Sequence, residues 1–206
     1  FVAPSLAEAL SEGGEDLLRS HRREVAVVFT DLRGWTPFSE TGEPEDVMTV
    51  LNELHQSVGP LVFEHQGTIL QFTGDGLLIL LNDPLPCEDP AGRAVHLAMA
   101  MQERMRGLGA SWRRRGHELD MGVAVAFGYA TCGRIGFEGR YEYTAIGTVV
   151  NLASRLCAAA KPGQVLVSQR VQALVDDQVE AELAGEMELK GFARAVPVYS
   201  VVGERR

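Results

Sequence analysis

A short, uninterrupted apolar run at residues 25–29 ends at Thr30 and Asp31. Five apolar residues in a row, most of them β-branched or aromatic, are too few for a typical helix and predict a strand buried on both faces. A buried strand has no solubility reason to end in a carboxylate. Asp31 therefore either caps the following turn or faces a polar ligand, and Gly34 would let the backbone approach such a ligand closely.

Two long segments with apolar residues at helical spacing follow this strand, and two strand-like runs lie between them. The first segment begins near Pro44, and the second covers residues 89–115. Between them, residues 67–73 and 77–81 predict strands joined by Gly74-Asp75-Gly76, a strong hairpin signal. The apolar face of the first helix consists of Val47, Val50, Leu51, Leu54, Val58, Leu61 and Val62. The predicted order to this point is β-α-β-β-α.

The second half of the chain predicts further strands and one clear helix. Residues 119–126 predict the next strand, and residues 128–136 predict a separate glycine-rich strand, followed by an extended arm that turns near Gly139. A helix is predicted at residues 149–160, and short strands alternate with a short helix over residues 164–201. The predicted fold class is α+β, with a ferredoxin-like, palm-type β-α-β-β-α-β core, helices on one face, and extra C-terminal strands and helices.

The two ends of the chain set the expected domain organisation. Residues 1–22 predict a helical connector with Ser5 as a helix cap, and residues 23–206 predict one domain. With 206 residues, of which 46% are apolar, the chain is long enough to bury a substantial core. It begins with Phe1 and not with methionine, so we expect a piece of a longer protein with a regulatory domain upstream.

Composition argues against several functional classes. The net charge of -9, from 28 acidic and 19 basic residues, argues against nucleic acid as a partner. Three cysteines without C-x-x-C spacing and five scattered histidines predict no disulfide framework, zinc site or catalytic histidine, and they fit a reducing cytoplasm. The sequence has no apolar run of membrane-spanning length and no signal peptide, so we expect this piece to be cytoplasmic and without membrane contact.

The ferredoxin-like topology places two distant aspartates together. Its first two strands run in the same direction because a helix crosses between them, and the third strand returns through the hairpin. Asp31, at the end of the first strand, and Asp75, in the hairpin turn, are therefore expected at one edge of the sheet. Two adjacent carboxylates repel unless a cation lies between them. Mg²⁺ held by one or two carboxylates and substrate phosphates is the usual form of such a site, and two ions suit a phosphoryl displacement.

Three sequence motifs resemble those of one enzyme family. They are FTDLRGWT at residues 29–36, FTGDG at residues 72–76 and YTAIGTVVNLASRL at residues 143–156. In this order and spacing they resemble the class III nucleotidyl cyclase catalytic domain, the family of adenylate and guanylate cyclases. The resemblance covers roughly residues 24–201 of the chain.

The resemblance implies a metal site and a phosphate site after the first strand. Asp31 and Asp75 match the family's metal-binding aspartates, and the backbone carbonyl of Leu32 is an additional ligand for two Mg²⁺ or Mn²⁺ ions. Lys190 resembles the lysine that contacts the terminal phosphates, although a solvated strand lysine is an open alternative. The residues whose amides would face the triphosphate are Leu32, Arg33, Gly34, Trp35 and Thr36.

The third motif supplies two residues for the reaction itself. Asn151 matches the asparagine that orients the nucleotide ribose, and Arg155 matches the arginine that stabilises charge on the α-phosphate. Their i, i+4 spacing puts both on one helix face. The alternative is that Asn151 is a helix cap and Arg155 a surface arginine.

The resemblance also implies two positions that read the base. Adenylate cyclases typically have lysine where this chain has Gln71, and guanylate cyclases have glutamate. At the position of Thr144, adenylate cyclases have aspartate or threonine and guanylate cyclases have cysteine. Gln71 can both donate and accept hydrogen bonds, so it discriminates weakly, and Thr144 favours ATP over GTP.

The function that follows from the resemblance is an adenylate cyclase that acts as a head-to-tail homodimer with shared active sites. The glycine-rich arm at residues 137–143 resembles the hairpin that embraces the partner chain. A guanylate or dual-specificity cyclase is one alternative. A catalytically silent module that binds nucleotide, or only dimerises, is an alternative of another class.

Overall fold

The computed structural model describes residues 18–138, 140–188 and 195–205. Within these ranges the chain forms eight strands in one mixed sheet and five helices. The strands are β1 (His21–Arg33), β2 (Gly67–Phe72), β3 (Gly76–Leu81), β4 (Asp120–Phe137), β5 (Arg140–Ile146), β6 (Val165–Ser168), β7 (Val179–Met187) and β8 (Val196–Glu204). The helices are α1 (Trp35–Thr41), α2 (Pro44–Glu64), α3 (Pro90–Arg114), α4 (Thr148–Ala159) and α5 (Gln169–Val175).

The sheet contains the ferredoxin-like core that the sequence predicts. The strand order is β2-β3-β1-β4-β6-β8-β7, and β5 pairs with β4 outside this path. β1 is antiparallel to both β3 and β4, and β2 is antiparallel to β3. β6 runs parallel to β4, and β8 and β7 extend the sheet further. This is a β-α-β-β-α-β core with added C-terminal elements, so the predicted fold class is confirmed.

Helices cover both faces of the sheet, and β1 is buried between them. Ala26 and Val28 pack in the cluster formed with α2, α3 and α5, whereas Val25 and Val27 pack in the cluster that contains Val149 of α4. The alternation follows from the period of two along a strand. The two helices of the core, α2 and α3, lie on one face as predicted, and α4 covers the other face, because both faces of β1 are apolar and each needs a covering layer.

The two strands predicted at residues 119–126 and 128–136 are one continuous strand, β4. Gly128 does not interrupt it, because β1 pairs with β4 on both sides of this glycine. A Cβ at Gly128 would lie 3.4 Å from the Cβ of Val149, an ordinary van der Waals distance, so α4 packs on the strand at this point. The glycine marks a packing contact and not the end of a strand.

Some predicted features lie outside the described residues. They are the helix expected after Ser5, residues 1–17 of the predicted connector, and the strand segment at residues 189–192. Within the described ranges, no helix is both long and apolar enough to cross a lipid bilayer.

A buried carboxylate, Asp83, ties three parts of the sheet together. It follows β3, and the residue is 1% exposed. The Tyr143 hydroxyl of β5 donates to one carboxyl oxygen, and Nε2 of His21, the first residue of β1, lies 2.7 Å from the other. Nδ1 of His21 lies 2.9 Å from the carbonyl oxygen of Arg19. Both ring nitrogens face acceptors, so the protonated imidazolium can donate to both.

These contacts change the acidity of the groups around Asp83. Burial lowers the pKa of His21, but the hydrogen bonds to Asp83 and to the Arg19 carbonyl, with the charge of Asp83, outweigh burial and raise the pKa above its ordinary value of 6.5. Burial beside the same carboxylate raises the pKa of the Cys132 thiol to about 12 and also raises the pKa of Tyr143. Cys132 and Tyr143 are therefore neutral near neutral pH.

We predict that His21 makes the domain less stable as the pH rises. Because its pKa in the folded state lies above 6.5, its contribution is fully present below pH 6.5 and is lost as the pH rises through the raised value. The free energy of unfolding in urea should therefore fall more between about pH 6 and about pH 8.5 in the wild type than in His21→Asn.

The control is His96→Asn, which removes an imidazole 4.0 Å from Glu204 at the protein surface. Its stability should follow the wild-type pH dependence. The same pH dependence in His21→Asn as in the wild type would contradict the prediction.

Candidate active site

The pairing of β1 with β3 brings the two predicted metal-binding aspartates together. Asp31 is opposite Gly76 in the register of these strands, and Thr30 is opposite Leu77. The Leu77 amide donates a 3.0 Å hydrogen bond to Oγ1 of Thr30. Asp75 immediately precedes β3, so its carboxyl group lies beside that of Asp31. The structure thus places both carboxyl groups at the same end of two neighbouring strands, as the topology predicts.

Gly76 allows the hairpin turn to approach β1 this closely. A Cβ on Gly76 would lie 1.9 Å from the carbonyl oxygen of Thr30, a separation that no side chain tolerates. The Thr73 amide donates to the Gly76 carbonyl at 3.0 Å and closes the turn. Gly74 has a positive φ of 84°, which favours glycine. The Gly-Asp-Gly sequence therefore determines how near Asp75 comes to β1.

Asp75 carries the electrostatic signature of a crowded carboxyl pair. Burial, the charge of Asp31 and a hydrogen bond with the Asp31 carboxyl raise the pKa of Asp75 from 3.8 to about 6. The backbone amides of Asp75 and Leu32 act in the opposite direction. Two carboxyl groups held in contact repel when both are ionised, and a cation between them would remove this repulsion.

The oxygen donors at this edge fit a hard divalent cation. Carboxylate and carbonyl oxygens are the ligands that Mg²⁺ and Mn²⁺ prefer. Among the described residues, no group of three or more His, Cys, Asp or Glu side chains could hold a metal ion. Asp31 and Asp75 supply two carboxyl groups, and a cation held there would need further oxygen ligands, for which Mg²⁺ accepts backbone carbonyls and phosphate.

The Arg33 side chain contacts Asp31 and the end of α4. Its Nη1 lies 2.5 Å from Oδ2 of Asp31. Nε donates to the Ala160 carbonyl at 2.8 Å, and Nη2 donates to the Cys157 carbonyl. The sequence predicts Arg33 among the phosphate-binding residues through its backbone amide, and the guanidinium is engaged within the chain.

Gly34, Trp35 and Thr36 lead directly from β1 into α1. Gly34 is the N-cap of α1 with a φ of 84°, and a Cβ there would lie 2.4 Å from the Glu118 carbonyl oxygen. Trp35 packs against the core, with its ring 5.6 Å from the ring of Phe38, and Thr36 is exposed. The first amides of a helix have no partner within it, so these residues suit the phosphate-binding role that the resemblance implies.

Asn151 and Arg155 lie one turn apart on α4. Asn151 is exposed and Arg155 is partly buried, whereas Ala153 and Leu156 face the core. Because α4 packs on β4 and its terminal carbonyls accept from Arg33, the helix is held in a fixed position relative to β1.

The predicted base-reading residues lie on strands that are not neighbours. Gln71 is exposed on β2, just after a register shift between β2 and β3. Thr144 is partly exposed on β5, opposite Gly133 of β4, and follows the anchored Tyr143. β3 and β1 lie between β2 and β4 in the sheet. The remaining predicted contact, Lys190, lies outside the described residues.

Two residues that shape the site were not singled out from the sequence. Thr30 is 2% exposed and fixes the position of Leu77, and a hydroxyl residue at the end of an apolar strand was its only signal. Gly122 lies opposite Asp31 on β4. A glycine inside an apolar strand often marks a close approach by another group, and this signal could have identified it.

Comparison with known proteins identifies the family. A family model described as the adenylate and guanylate cyclase catalytic domain matches residues 18–203. Adenylate cyclase 1 of Rhizobium meliloti (strain 1021) is 35% identical over 185 residues, which cover 88% of this chain and 28% of that protein. The chain therefore spans less than a third of the length of this relative.

Two solved structures share the fold over nearly their full lengths. The adenylyl cyclase CyaB from P. aeruginosa has a TM-score of 0.87 and 35% identity, with 92% of this chain and 98% of that chain covered. The guanylyl cyclase Cya2 has a TM-score of 0.84 and 32% identity, with 90% and 95% covered. The family model spans nearly the whole of this sequence, and both structures repeat its fold: the chain belongs to the adenylate and guanylate cyclase catalytic domain family.

Proposed function

We propose that this domain is an adenylate cyclase that converts ATP to 3′,5′-cyclic AMP and pyrophosphate. The observation that carries the proposal is the contact between the carboxyl groups of Asp31 and Asp75 at the ends of β1 and β3. Family membership supports this class of reaction, and the 35% identity to an adenylate cyclase of Rhizobium meliloti supports ATP as the substrate.

In the proposed reaction the ribose 3′-hydroxyl of ATP attacks its own α-phosphorus. The bond from this phosphorus to the bridging oxygen of pyrophosphate breaks, and the hydroxyl proton is released. Asp31, Asp75 and the Leu32 carbonyl would hold two Mg²⁺ or Mn²⁺ ions. When bound, these ions lower the pKa of the attacking hydroxyl and neutralise charge on the phosphates. The amides at the start of α1 donate to the triphosphate.

The other half of the proposed site comes from α4. Asn151 orients the ribose, so that its 3′-hydroxyl lies in line with the leaving pyrophosphate. Arg155 stabilises the negative charge that develops on the α-phosphate, and Lys190 contacts the terminal phosphates. A guanidinium and an ammonium then lie where charge increases in the transition state.

The proposed active unit is a head-to-tail homodimer with two shared sites. Each site takes Asp31 and Asp75 from one chain and Asn151 and Arg155 from the other. A regulatory domain upstream in the parent protein would act on this assembly.

Exposed apolar side chains support the presence of a covering partner. They lie along the paired stretch of β4 and β5, three on one face of this ribbon and Tyr141 on the other, and their exposed fractions lie between 49% and 70%. An apolar patch of this kind marks an interaction surface on a protein. The residues are Ile135, Phe137, Tyr141 and Ile146.

A guanylate or dual-specificity cyclase is the second candidate function. The side-chain amide of Gln71 is exposed and can both donate to adenine and accept from guanine. Thr144 supports adenine, so ATP is the preferred assignment. Similarity to the guanylyl cyclase Cya2, at 32% identity, supports this second candidate as well.

The metal assignment predicts that Asp31→Ala and Asp75→Ala each reduce turnover by about a thousandfold or more, because charge stabilisation by such ions contributes several kcal/mol. The measurement is cyclic nucleotide formed from ATP with Mg²⁺ and with Mn²⁺, alongside circular dichroism to verify folding. Asp176→Ala is the matched control, since it removes an exposed carboxylate that pairs with Arg205.

Activity close to wild type in either aspartate variant would overturn the metal assignment. If the wild type itself forms no product with Mn²⁺ at high protein concentration, the domain is the catalytically silent signalling module and the proposed function fails.

The shared-site dimer predicts rescue between inactive chains. An equal mixture of Asp31→Ala and Arg155→Ala chains should recover roughly a quarter of wild-type activity, because half of the dimers are mixed and each mixed dimer has one intact site. A mixture of Asp31→Ala with Asp75→Ala should recover none, since both variants damage the same half of the site. If the mixture of Asp31→Ala and Arg155→Ala chains recovers no activity although mixed dimers are present, the shared site is excluded.

The base-reading assignment predicts opposite effects of two substitutions. Gln71→Lys can only donate and should raise the ratio of kcat/KM for ATP over GTP by about tenfold. Gln71→Glu can only accept when ionised and should lower this ratio. Both triphosphates are assayed at equal concentration. A ratio that neither substitution changes would remove Gln71 from the base site.

A further inference from the structure

We infer that Arg33 is a positioning residue that holds the Asp31 carboxylate for the metal ion and joins it to the end of α4. This inference rests on the proposed function for its meaning in catalysis. The resemblance assigns this position only a backbone amide that faces phosphate. The observations concern its side chain, which is 19% exposed and bonded to three groups of its own chain.

The three contacts fix the guanidinium in one place. Nη1 meets Oδ2 of Asp31, Nε donates to the Ala160 carbonyl, and Nη2 donates to the Cys157 carbonyl. A guanidinium is a planar fork, so it cannot turn toward a substrate without losing these bonds together. Oδ2 of Asp31 is thereby held, and with it the carboxyl group that contacts Asp75.

The carbonyls that Arg33 binds belong to the C-terminal end of α4. Helix C-termini carry partial negative charge and unpaired carbonyls, so a buried cation there is favourable. Asn151 and Arg155 lie on this same helix. Arg33 therefore connects the carboxylate end of β1 with the helix that supplies the other half of a cyclase site.

Gly122 supplies the space that the guanidinium occupies. It lies opposite Asp31 on β4, and a Cβ there would come 2.5 Å from Nη2 and 3.0 Å from Cζ of Arg33. It would also lie 3.1 Å from the Cβ of Ala160. A side chain at position 122 would thus displace the guanidinium without removing any charged group.

In the shared-site dimer, this connection has a second consequence. The Asp31 that Arg33 holds works in one active site, whereas α4 of the same chain works in the other. Arg33 is then one direct contact between an element of one site and an element of the other.

The test compares Arg33→Met, Arg33→Lys, Gly122→Ala and the double variant Arg33→Met/Gly122→Ala. Mn²⁺ binding to the nucleotide-free protein is measured by electron paramagnetic resonance, and the Mg²⁺ dependence of cyclic nucleotide formation and the KM for ATP are measured in parallel. Arg170→Met is the matched control, because Arg170 also pairs with a β1 carboxylate, Glu24, away from the site. Thermal unfolding verifies that each variant is folded.

We expect Arg33→Met to weaken Mn²⁺ binding and to raise the half-saturating Mg²⁺ concentration by tenfold or more, with a smaller change in the KM for ATP. Arg33→Lys keeps the positive charge but lacks the planar guanidinium. Its Mn²⁺ affinity and its half-saturating Mg²⁺ concentration should therefore lie between those of the wild type and Arg33→Met. Gly122→Ala should reproduce part of the effect. In the double variant the loss of Mn²⁺ binding should be no larger than in Arg33→Met, since the guanidinium that the alanine would displace is already absent. Arg170→Met should match the wild type in Mn²⁺ binding, in half-saturating Mg²⁺ concentration and in the KM for ATP.

Three results would overturn the inference. The first is unchanged Mn²⁺ binding in Arg33→Met. The second is a raised KM for ATP in Arg33→Met with unchanged metal dependence, which would mark Arg33 as a phosphate ligand. The third is a loss of Mn²⁺ binding in the double variant that equals the sum of the losses in the two single variants. A wild type that makes no cyclic nucleotide refutes the proposed function alone, because the Mn²⁺ measurement still decides whether Arg33 positions Asp31.

Discussion

The register between β1 and β3 is the constraint on which the candidate site depends. A shift of one residue would turn Asp31 toward the opposite face of the sheet and separate it from Asp75. Hydrophobic burial fixes this register only weakly, because β1 is apolar on both faces and would stay buried after a shift. The hydrogen bond from the Leu77 amide to Thr30 and the steric fit of Gly76 therefore select the register that the site requires.

The site combines groups that would each be unfavourable alone. Two carboxyl groups in contact repel, an arginine is largely removed from solvent, and a glycine lies within an apolar strand. Each cost is offset by a neighbour: Arg33 faces Asp31 and the α4 carbonyls, and Gly122 leaves room for Arg33. A set of residues that satisfy one another in this way is sensitive to the loss of any single member.

Much of this architecture could be predicted from local sequence patterns. The opening strand, the hairpin around Asp75 and the two long helices follow from periodicity and turn residues over short stretches. The ferredoxin-like order then brings Asp31 to Asp75, because chain connectivity fixes strand direction. These predictions succeed because every signal they use lies within one element or in the connection between adjacent elements.

The features that sequence analysis missed depend on contacts between distant segments. Gly128 suggested a break in β4, and only the pairing of β4 with β1 on both sides of this glycine shows that the strand continues. The position of α4 on the second face has no local signature, and neither do the two carbonyl partners of Arg33, which are more than 120 residues away in the chain. The sequence around Asp83 does not indicate that its carboxyl group contacts both His21 and Tyr143.

The length of β4 has a consequence for how the domain responds to its surroundings. Pairing with β1 ends at Cys132, and residues 133–137 pair with β5 beyond that point. An isolated two-stranded ribbon is marginally stable in water, and this one carries exposed apolar side chains. If a second copy covers it, mass action makes the order of the ribbon depend on protein concentration. In the proposed shared-site dimer, the same association would also complete the active sites, so that activity would rise with the local density of the chains.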